Sequence, residues 1–139
     1  FFMYRQLEHP ADLYFEVVGK DLNEIFTDSA SAILEYMGTI DKDSTVQMEI
    51  FEFEGSINDI LIEFLNEILF EAIVKDKYLI QAKVSIDSDW ENNLEHKVKI
   101  YAYFKKFKEI KREIKAISYH MAELKYFDDK LIFRFIADV

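Results

Sequence analysis

The sequence contains no cysteine, one proline and three glycines among its 139 residues. Without cysteine there is no disulfide framework, no thiolate zinc site and no thiol nucleophile. The scarcity of glycine excludes a glycine-rich phosphate-binding loop and a dinucleotide-binding fingerprint. No apolar run approaches the roughly 18 residues that span a bilayer, and the first residues do not resemble a signal peptide. We therefore expect a cytoplasmic protein with no membrane partner.

Negative charge is in excess: the sequence has 27 acidic and 17 basic residues, which give a net charge of −10. Such a chain is poorly suited to direct binding of nucleic acid, which needs clustered cations. Positive charge concentrates in residues 97–115, where eight basic side chains accompany two acidic ones. This segment predicts a solvated, lysine-rich β-hairpin. The alternative is a docking surface for an anionic partner, either RNA phosphate or an acidic protein patch.

Two helices are predicted from apolar residues at helical spacing and from residues that suit helix ends. Asp21, followed by Glu24, predicts the N-cap of the first helix, and Gly38 is placed where a left-handed residue would end it. Ser56, followed by Asp59, predicts the N-cap of the second helix.

Strands are predicted where apolar and polar residues alternate. Between Ile50 and Phe51 the alternation slips, which indicates a β-bulge or a strand buried on both faces. The order of the predicted strands and helices indicates an α+β fold in a single domain over residues 1–139, with largely antiparallel sheet layers and two α-helices packed on one face. The predicted strands cover residues 3–7, 13–18, 46–54, 80–86, 94–104, 114–120, 122–127 and 131–139, with a hairpin turn at 128–130.

Three short motifs contain residues capable of chemistry. Asp12 follows a loop that Pro10 keeps extended, and Asp138 lies one residue before the α-carboxylate of Val139. Carboxylate oxygens of this kind suit hard cations such as Ca²⁺ and Mg²⁺. The third motif, Lys115 to His120, offers a cation or a proton donor at a strand. Each motif alone is also compatible with a solvated turn, a frayed terminus or a structural histidine.

Taken together and in order, these motifs resemble the archease family over essentially the whole chain. His9-Pro10-Ala11-Asp12 is similar to the family's His-Thr-Ala-Asp, with proline in place of threonine. Lys115-Ala116-Ile117-Ser118-Tyr119-His120 is similar to its Lys-Ala-x-Thr-Tyr-His block. The helical segments 19–26 and 59–69 also match, and the chain ends on Asp138 and one apolar residue, as archeases do.

The resemblance implies a non-enzymatic activator of the RtcB-type RNA ligase, which joins 3′-phosphate and 5′-hydroxyl RNA ends in tRNA splicing and RNA repair. Archeases promote guanylylation of that ligase and its multiple turnover. The resemblance further implies a divalent cation, calcium first with magnesium or manganese as alternatives, held by Asp12, Asp138 and the Val139 carboxylate. Lys115, His9 and His120 are the implied residues for ligase activation and partner contact.

Other functions remain open at this point. The first is a chaperone-like partner of a tRNA methyltransferase, a role that the resemblance also allows. The second is a small metal-dependent phosphohydrolase using Asp12, Asp138 and His120. The third is a purely structural α+β domain, in which substitution of Asp12 would change little beyond stability.

Overall fold

The computed structural model describes the backbone of residues 2–4 and the whole of residues 12–139. Its elements in these ranges are two α-helices, eight strands and one short 3₁₀ turn at Trp90–Asn92. The bounds are β1 (Phe2–Tyr4), β2 (Asp12–Gly19), α1 (Leu22–Met37), β3 (Gly38–Asp41), β4 (Gln47–Gly55), α2 (Ile57–Lys75), β5 (Lys77–Ser85), β6 (His96–Ile110), β7 (Ala116–Phe127) and β8 (Lys130–Asp138).

The strands form two antiparallel sheets. In the first sheet the order is β1-β2-β8-β7, and in the second the long strand β6 pairs with β3, β4 and β5. Helix α1 contacts β2 and β5, while α2 contacts β7, β4 and β5, so the helices lie against one face of each sheet. The α+β class and the antiparallel pairing predicted from the sequence are confirmed.

Helix α1 begins where the sequence predicts it. The Asp21 carboxylate accepts a hydrogen bond from the Glu24 amide at 2.9 Å, and the Lys20 amide donates to the Glu24 side chain at 3.0 Å. The helix also ends where predicted, after Met37, but Gly38 is not left-handed: it is extended at φ 178° and begins β3 directly. Glycine is required there for a different reason: a Cβ on Gly38 would collide with the carbonyl oxygen of Glu109 in β6.

Helix α2 buries apolar side chains against both sheets, while Asp59, Glu63 and Glu67 remain at least partly exposed. Ser56 caps its start, accepting a hydrogen bond from the Asp59 amide at 3.2 Å as predicted. Its end is a left-handed residue, Asp76, at φ 61°. Its buried apolar side chains form much of the core: Ile60, Leu61, Ile62, Phe64, Leu65, Ile68, Leu69 and Ala72.

Several strand predictions need correction. The two strands predicted over 114–127 are one strand, β7, interrupted by a register shift between Ser118 and Glu123. Strand β4 has no bulge and is not buried on both faces; its register with β6 is regular throughout. The apparent slip arises because Met48 and Ile50 are apolar yet about half exposed, at 49% and 50%, while Phe51 and Phe53 pack toward the core. Strand β3 was not predicted.

The lysine-rich segment is β6 together with the connection that follows it. Strand β6 lies between β4 and β5 instead of forming one arm of a two-stranded hairpin, because residues 99–104 pair with both. Lys97 and Lys99 lie opposite Glu54 and Glu52, with N–O distances of 3.4 and 3.8 Å. These exposed ion pairs neutralise part of the positive charge. Among the described helices, none combines the length and apolar character needed to cross a membrane.

Candidate functional site

The register of the first sheet brings the two predicted aspartates together from opposite ends of the sequence. Asp12 lies directly opposite Asp138 across the β2–β8 pair, and Asp138 lies opposite Ala116 across the β8–β7 pair. Their neighbours Leu13 and Ala137 point into the core. Because side chains alternate along a strand, the two carboxylates share the outer face of the sheet.

A shallow surface pocket lies at this position. Asp138 is exposed and Asp12 is half-buried. Neither forms an ion pair within 4.0 Å with a described basic side chain. The described residues contain no group of three His, Asp or Glu side chains that could hold a metal, so His120 does not join the two aspartates as a third ligand. The pocket is lined by Asp12, Ala116, Ser118, His120, Ile136 and Asp138.

The irregularity in β7 places His120 beside the carboxylates. Ser118 pairs with Ile136 and Glu123 with Arg134. An advance of five residues along β7 therefore corresponds to only two residues along β8. The His120 amide donates to the Ser118 hydroxyl at 2.9 Å, and the next residue, Met121, is left-handed at φ 61°. Such bulges redirect side chains and often lie next to functional sites.

Two asparagines of α2 hold β7 on either side of this bulge. The Asn66 side chain accepts from the Ile117 amide at 2.9 Å and donates to the Ile117 carbonyl at 3.1 Å. Asn58 accepts from the Leu124 amide at 3.1 Å. Sequence reasoning missed both residues, because the helix also carries Asp59, Glu63 and Glu67 and no local pattern distinguishes the two asparagines from them.

The other predicted site residues lie close to the aspartate pair or outside the described chain. Lys115 immediately precedes β7, and its amide donates to the Asp138 carbonyl at 2.7 Å while its side chain is exposed. Val139 follows Asp138 and packs against the core. His9 lies outside the described residues. The structure therefore gathers Asp12, Asp138, Val139, Lys115 and His120 at one end of the first sheet.

A second carboxyl pair, which the sequence did not reveal, lies between α2 and β4. Glu71 is 1% exposed, and its Oε2 lies 3.1 Å from Lys75. Burial and the adjacent Glu49 raise the pKa of Glu71 above its usual 4.5. Burial also acts to raise the pKa of Glu49, but hydrogen bonds with Glu71 and Lys77 more than offset it and leave that pKa lowered. This pair has its own cations, Lys75 and Lys77.

Comparison with known proteins places the chain in a family. The sequence pattern of the archease protein family (MTH1598/TM1083) matches residues 4–139. The archease of Sulfolobus acidocaldarius is 31% identical over 140 residues, covering 95% of each chain. The archease of Methanosarcina barkeri is 27% identical, covering 87% of this chain and 85% of that one.

Solved structures show the same fold. Protein 1598 of Methanobacterium thermoautotrophicum superposes with a TM-score of 0.71 at 26% identity and covers 93% of both chains. An archease of Thermotoga maritima, described as a possible chaperone, superposes with a TM-score of 0.62 at 20% identity over 100% of this chain and 99% of that one. Sequence and fold agree, and the chain belongs to the archease family.

Proposed function

We propose that this protein is a non-enzymatic, divalent-cation-binding activator of an RtcB-type RNA ligase, acting on ligase guanylylation and turnover in tRNA splicing and RNA repair. Membership of the archease family supports the class of function. The observation that carries the proposal is the direct pairing of Asp12 with Asp138 on an exposed sheet face. The lack of a described counter-cation at this pair distinguishes it from the other carboxyl cluster.

The electrostatics of the pair favour a cation. Like charges directly opposite one another on an antiparallel pair repel, with side chains whose Cβ atoms lie about 5 Å apart. A hard cation with oxygen ligands removes this repulsion, and two carboxylates supply part of the six to eight oxygens that calcium takes. The α-carboxylate of Val139 is the proposed third protein ligand, and water or an oxygen of the ligase would complete the coordination. Magnesium and manganese are the alternative ions.

A bound cation would supply a positive centre for oxygen ligands of the partner. The chain's own residues then have separable tasks. Asp12 and Asp138 fix the position of the cation, and the Lys115 amide fixes β7 against the carbonyl of Asp138. The exposed Lys115 side chain and His120 are left to contact the partner, and His9 is proposed for the same role from the family resemblance alone.

The shape of the site fits an interaction protein better than a hydrolase. The pocket supplies two carboxylates, and no three described His, Asp or Glu side chains are placed to hold a metal together. The chaperone description of the Thermotoga maritima archease points in the same direction. A tRNA methyltransferase is the alternative partner, and it is separated from the ligase by the experiment below.

The test is ligase guanylylation with GTP and metal, measured with this protein at a substoichiometric dose. We expect wild-type protein to accelerate guanylylation and Asp12→Asn to abolish the acceleration. The matched control is Asp128→Asn, which removes an equal charge from an exposed hairpin turn. Undiminished activation by Asp12→Asn, or no activation by wild type, contradicts the proposal. If the protein binds a tRNA methyltransferase and not the ligase, the methyltransferase is the partner instead.

A separate experiment addresses the terminal ligand. Protein ending at Val139 is compared with protein carrying two additional glycines after it. Because the extension converts the α-carboxylate into a peptide carbonyl, calcium affinity should fall by about tenfold. Equal affinity in calorimetric titration would remove Val139 from the ligand set.

A further inference from the structure

The edge strands of the two sheets differ in whether their outward backbone groups are hydrogen-bonded. The outer edge of β5 is covered by α1: the Thr27 hydroxyl accepts from the Ala82 amide at 2.9 Å and donates to its carbonyl at 3.2 Å. The outer edge of β7 is covered in the same way by Asn58 and Asn66. Along β4, by contrast, no described strand or side chain bonds the edge that faces away from β6.

The hydrogen bonds of Ala82 determine which groups of β4 face that edge. Ala82 pairs with Ala102 but directs its amide and carbonyl away from β6, so Ala102 directs its own toward β4. Glu49, the partner of Ala102, is therefore bonded to β6. With the alternation of a strand, the outward amides and carbonyls are those of Met48, Ile50, Glu52 and Glu54.

A groove adjoins this edge between β4, α2 and the bulge of β7. Phe70 is 48% exposed and Tyr119 is also exposed, so the groove offers apolar surface. Burial, followed by the charges of Glu63 and Asp59, raises the pKa of the Tyr119 hydroxyl. Among the described residues, no basic side chain lines the groove. Its charged lining residues are Glu52, Glu54, Glu63 and Glu67, and its aromatic ones are Phe53, Phe70 and Tyr119.

We propose that the free edge of β4 and this acidic groove form a docking site for an extended, lysine- or arginine-rich segment of a partner protein, which pairs with β4 as an added strand. Main-chain hydrogen bonds to an exposed sheet edge give affinity, and alternate side chains give specificity. Basic side chains of the added strand would reach Glu63 and Glu67, neither of which has an ion pair within 4.0 Å among the described residues.

The negative charge of the groove distinguishes between the possible occupants. A second copy of β4 would add Glu49, Glu52 and Glu54 to a groove that is already negative, and like charges across a strand pair are destabilising. A nucleic acid would meet the same repulsion. A basic strand removes it, and this site is independent of the Asp12–Asp138 pair.

The probe is a blocked, fluorescently labelled octapeptide of alternating lysine and valine, titrated at physiological ionic strength. Its controls are a lysine–proline peptide of equal charge, which cannot form a strand, and a glutamate–valine peptide. We expect the lysine–valine peptide to bind about tenfold more tightly than the lysine–proline peptide. Amide hydrogen exchange should slow at Ile50 and Glu52 when it binds. Equal affinity of the two basic peptides, or unprotected β4 amides, overturns strand pairing.

Two variants distinguish the contribution of main-chain pairing to peptide affinity from the contribution of charge. Ile50→Pro removes an outward amide without removing a carboxylate, and it should lower affinity about tenfold. Glu63→Gln with Glu67→Gln should lower it about fivefold, whereas the charge-matched control Glu35→Gln with Glu113→Gln should change it less than about twofold.

Equal losses in the two double variants would indicate nonspecific attraction to an acidic protein and overturn the site. Retained affinity in a folded Ile50→Pro protein would do the same. If that variant melts at room temperature, the exchange data on wild type still decide the question. A wild-type dimer whose β4 amides are protected without peptide would show that a second copy occupies the edge, and would overturn the proposal.

Discussion

Asp12 with Asp138 and Glu49 with Glu71 are both pairs of neighbouring carboxyl groups, but their surroundings differ. The glutamates lie between α2 and β4, where Lys75 and Lys77 lie within 4.0 Å and Glu71 is buried. The aspartates lie on an open sheet face and form no ion pair within that distance with a described basic side chain. The glutamate pair is therefore balanced by the fold itself.

The difference suggests how to recognise which carboxyl pair is available to a ligand. A buried pair must be neutralised by protons or by nearby cations, because burying unbalanced charge is costly. An exposed pair is held together by the backbone register, and solvent alone reduces its repulsion. The aspartate pair is therefore the one that gains from an external cation.

Substitution of Asn66, which holds β7 beside the aspartate pair, should have the largest effect on stability. Asn66→Ala removes three hydrogen bonds, to the Ile117 amide, the Ile117 carbonyl and the Ile62 carbonyl. Because buried backbone groups of β7 lose their partner, the free energy of unfolding should fall by about 2–4 kcal/mol. Denaturant unfolding measures this. The control Asn93→Ala alters an exposed 3.3 Å bond and should cost less than about 0.5 kcal/mol; equal losses would contradict the role of Asn66.

Saturating calcium should stabilise the wild type by mass action. At about one hundred times the dissociation constant the expected gain is about 2.7 kcal/mol, seen as a higher melting temperature. Asp12→Asn with Asp138→Asn should abolish the gain, whereas Glu49→Gln should leave it intact. A gain that survives loss of both aspartates would place the cation elsewhere.

Without metal, Asp138→Asn should make the protein slightly more stable. The substitution relieves the repulsion between directly opposite carboxylates, which is worth about 0.5–1 kcal/mol. Chemical unfolding in the presence of a chelator gives the comparison. A less stable variant would mean that a partner already balances the pair.

The glutamate pair should affect the pH dependence of stability. The pKa of Glu71 is raised above 4.5, so Glu71 binds its proton more tightly in the folded protein. The stabilisation that results is fully present below pH 4.5 and is lost as the pH rises through the raised pKa. Above pH 4.5, Glu71→Gln should therefore gain stability relative to wild type as the pH rises through the raised pKa of Glu71. A difference that is constant across this range would show that Glu71 has an ordinary pKa.

Local features of the fold were predictable from the sequence. The helix caps at Asp21 and Ser56 depend on residues three positions away, and both are confirmed. Gly38 was misread because its need for glycine arises from the approach of β6 rather than from the helix end. The slip at Ile50 was misread because an exposed apolar residue looks the same in sequence as a buried one.

The site was less accessible to local reasoning. Asp12 and Asp138 are separated by nearly the whole chain, and the resemblance to archeases, not their spacing, joined them. Their pairing depends on the register of β2 with β8. Glu49 and Glu71 meet only when α2 packs over β4, so no local pattern in the sequence reveals them.

Calorimetric calcium titration tests the central claim most directly. Three proteins are compared: wild type, Asp12→Asn with Asp138→Asn, and Glu49→Gln. We expect one calcium site in the wild type, none in the aspartate double variant, and an unchanged site in Glu49→Gln. Calcium binding that persists without the two aspartates, or is lost with Glu49 alone, would contradict it.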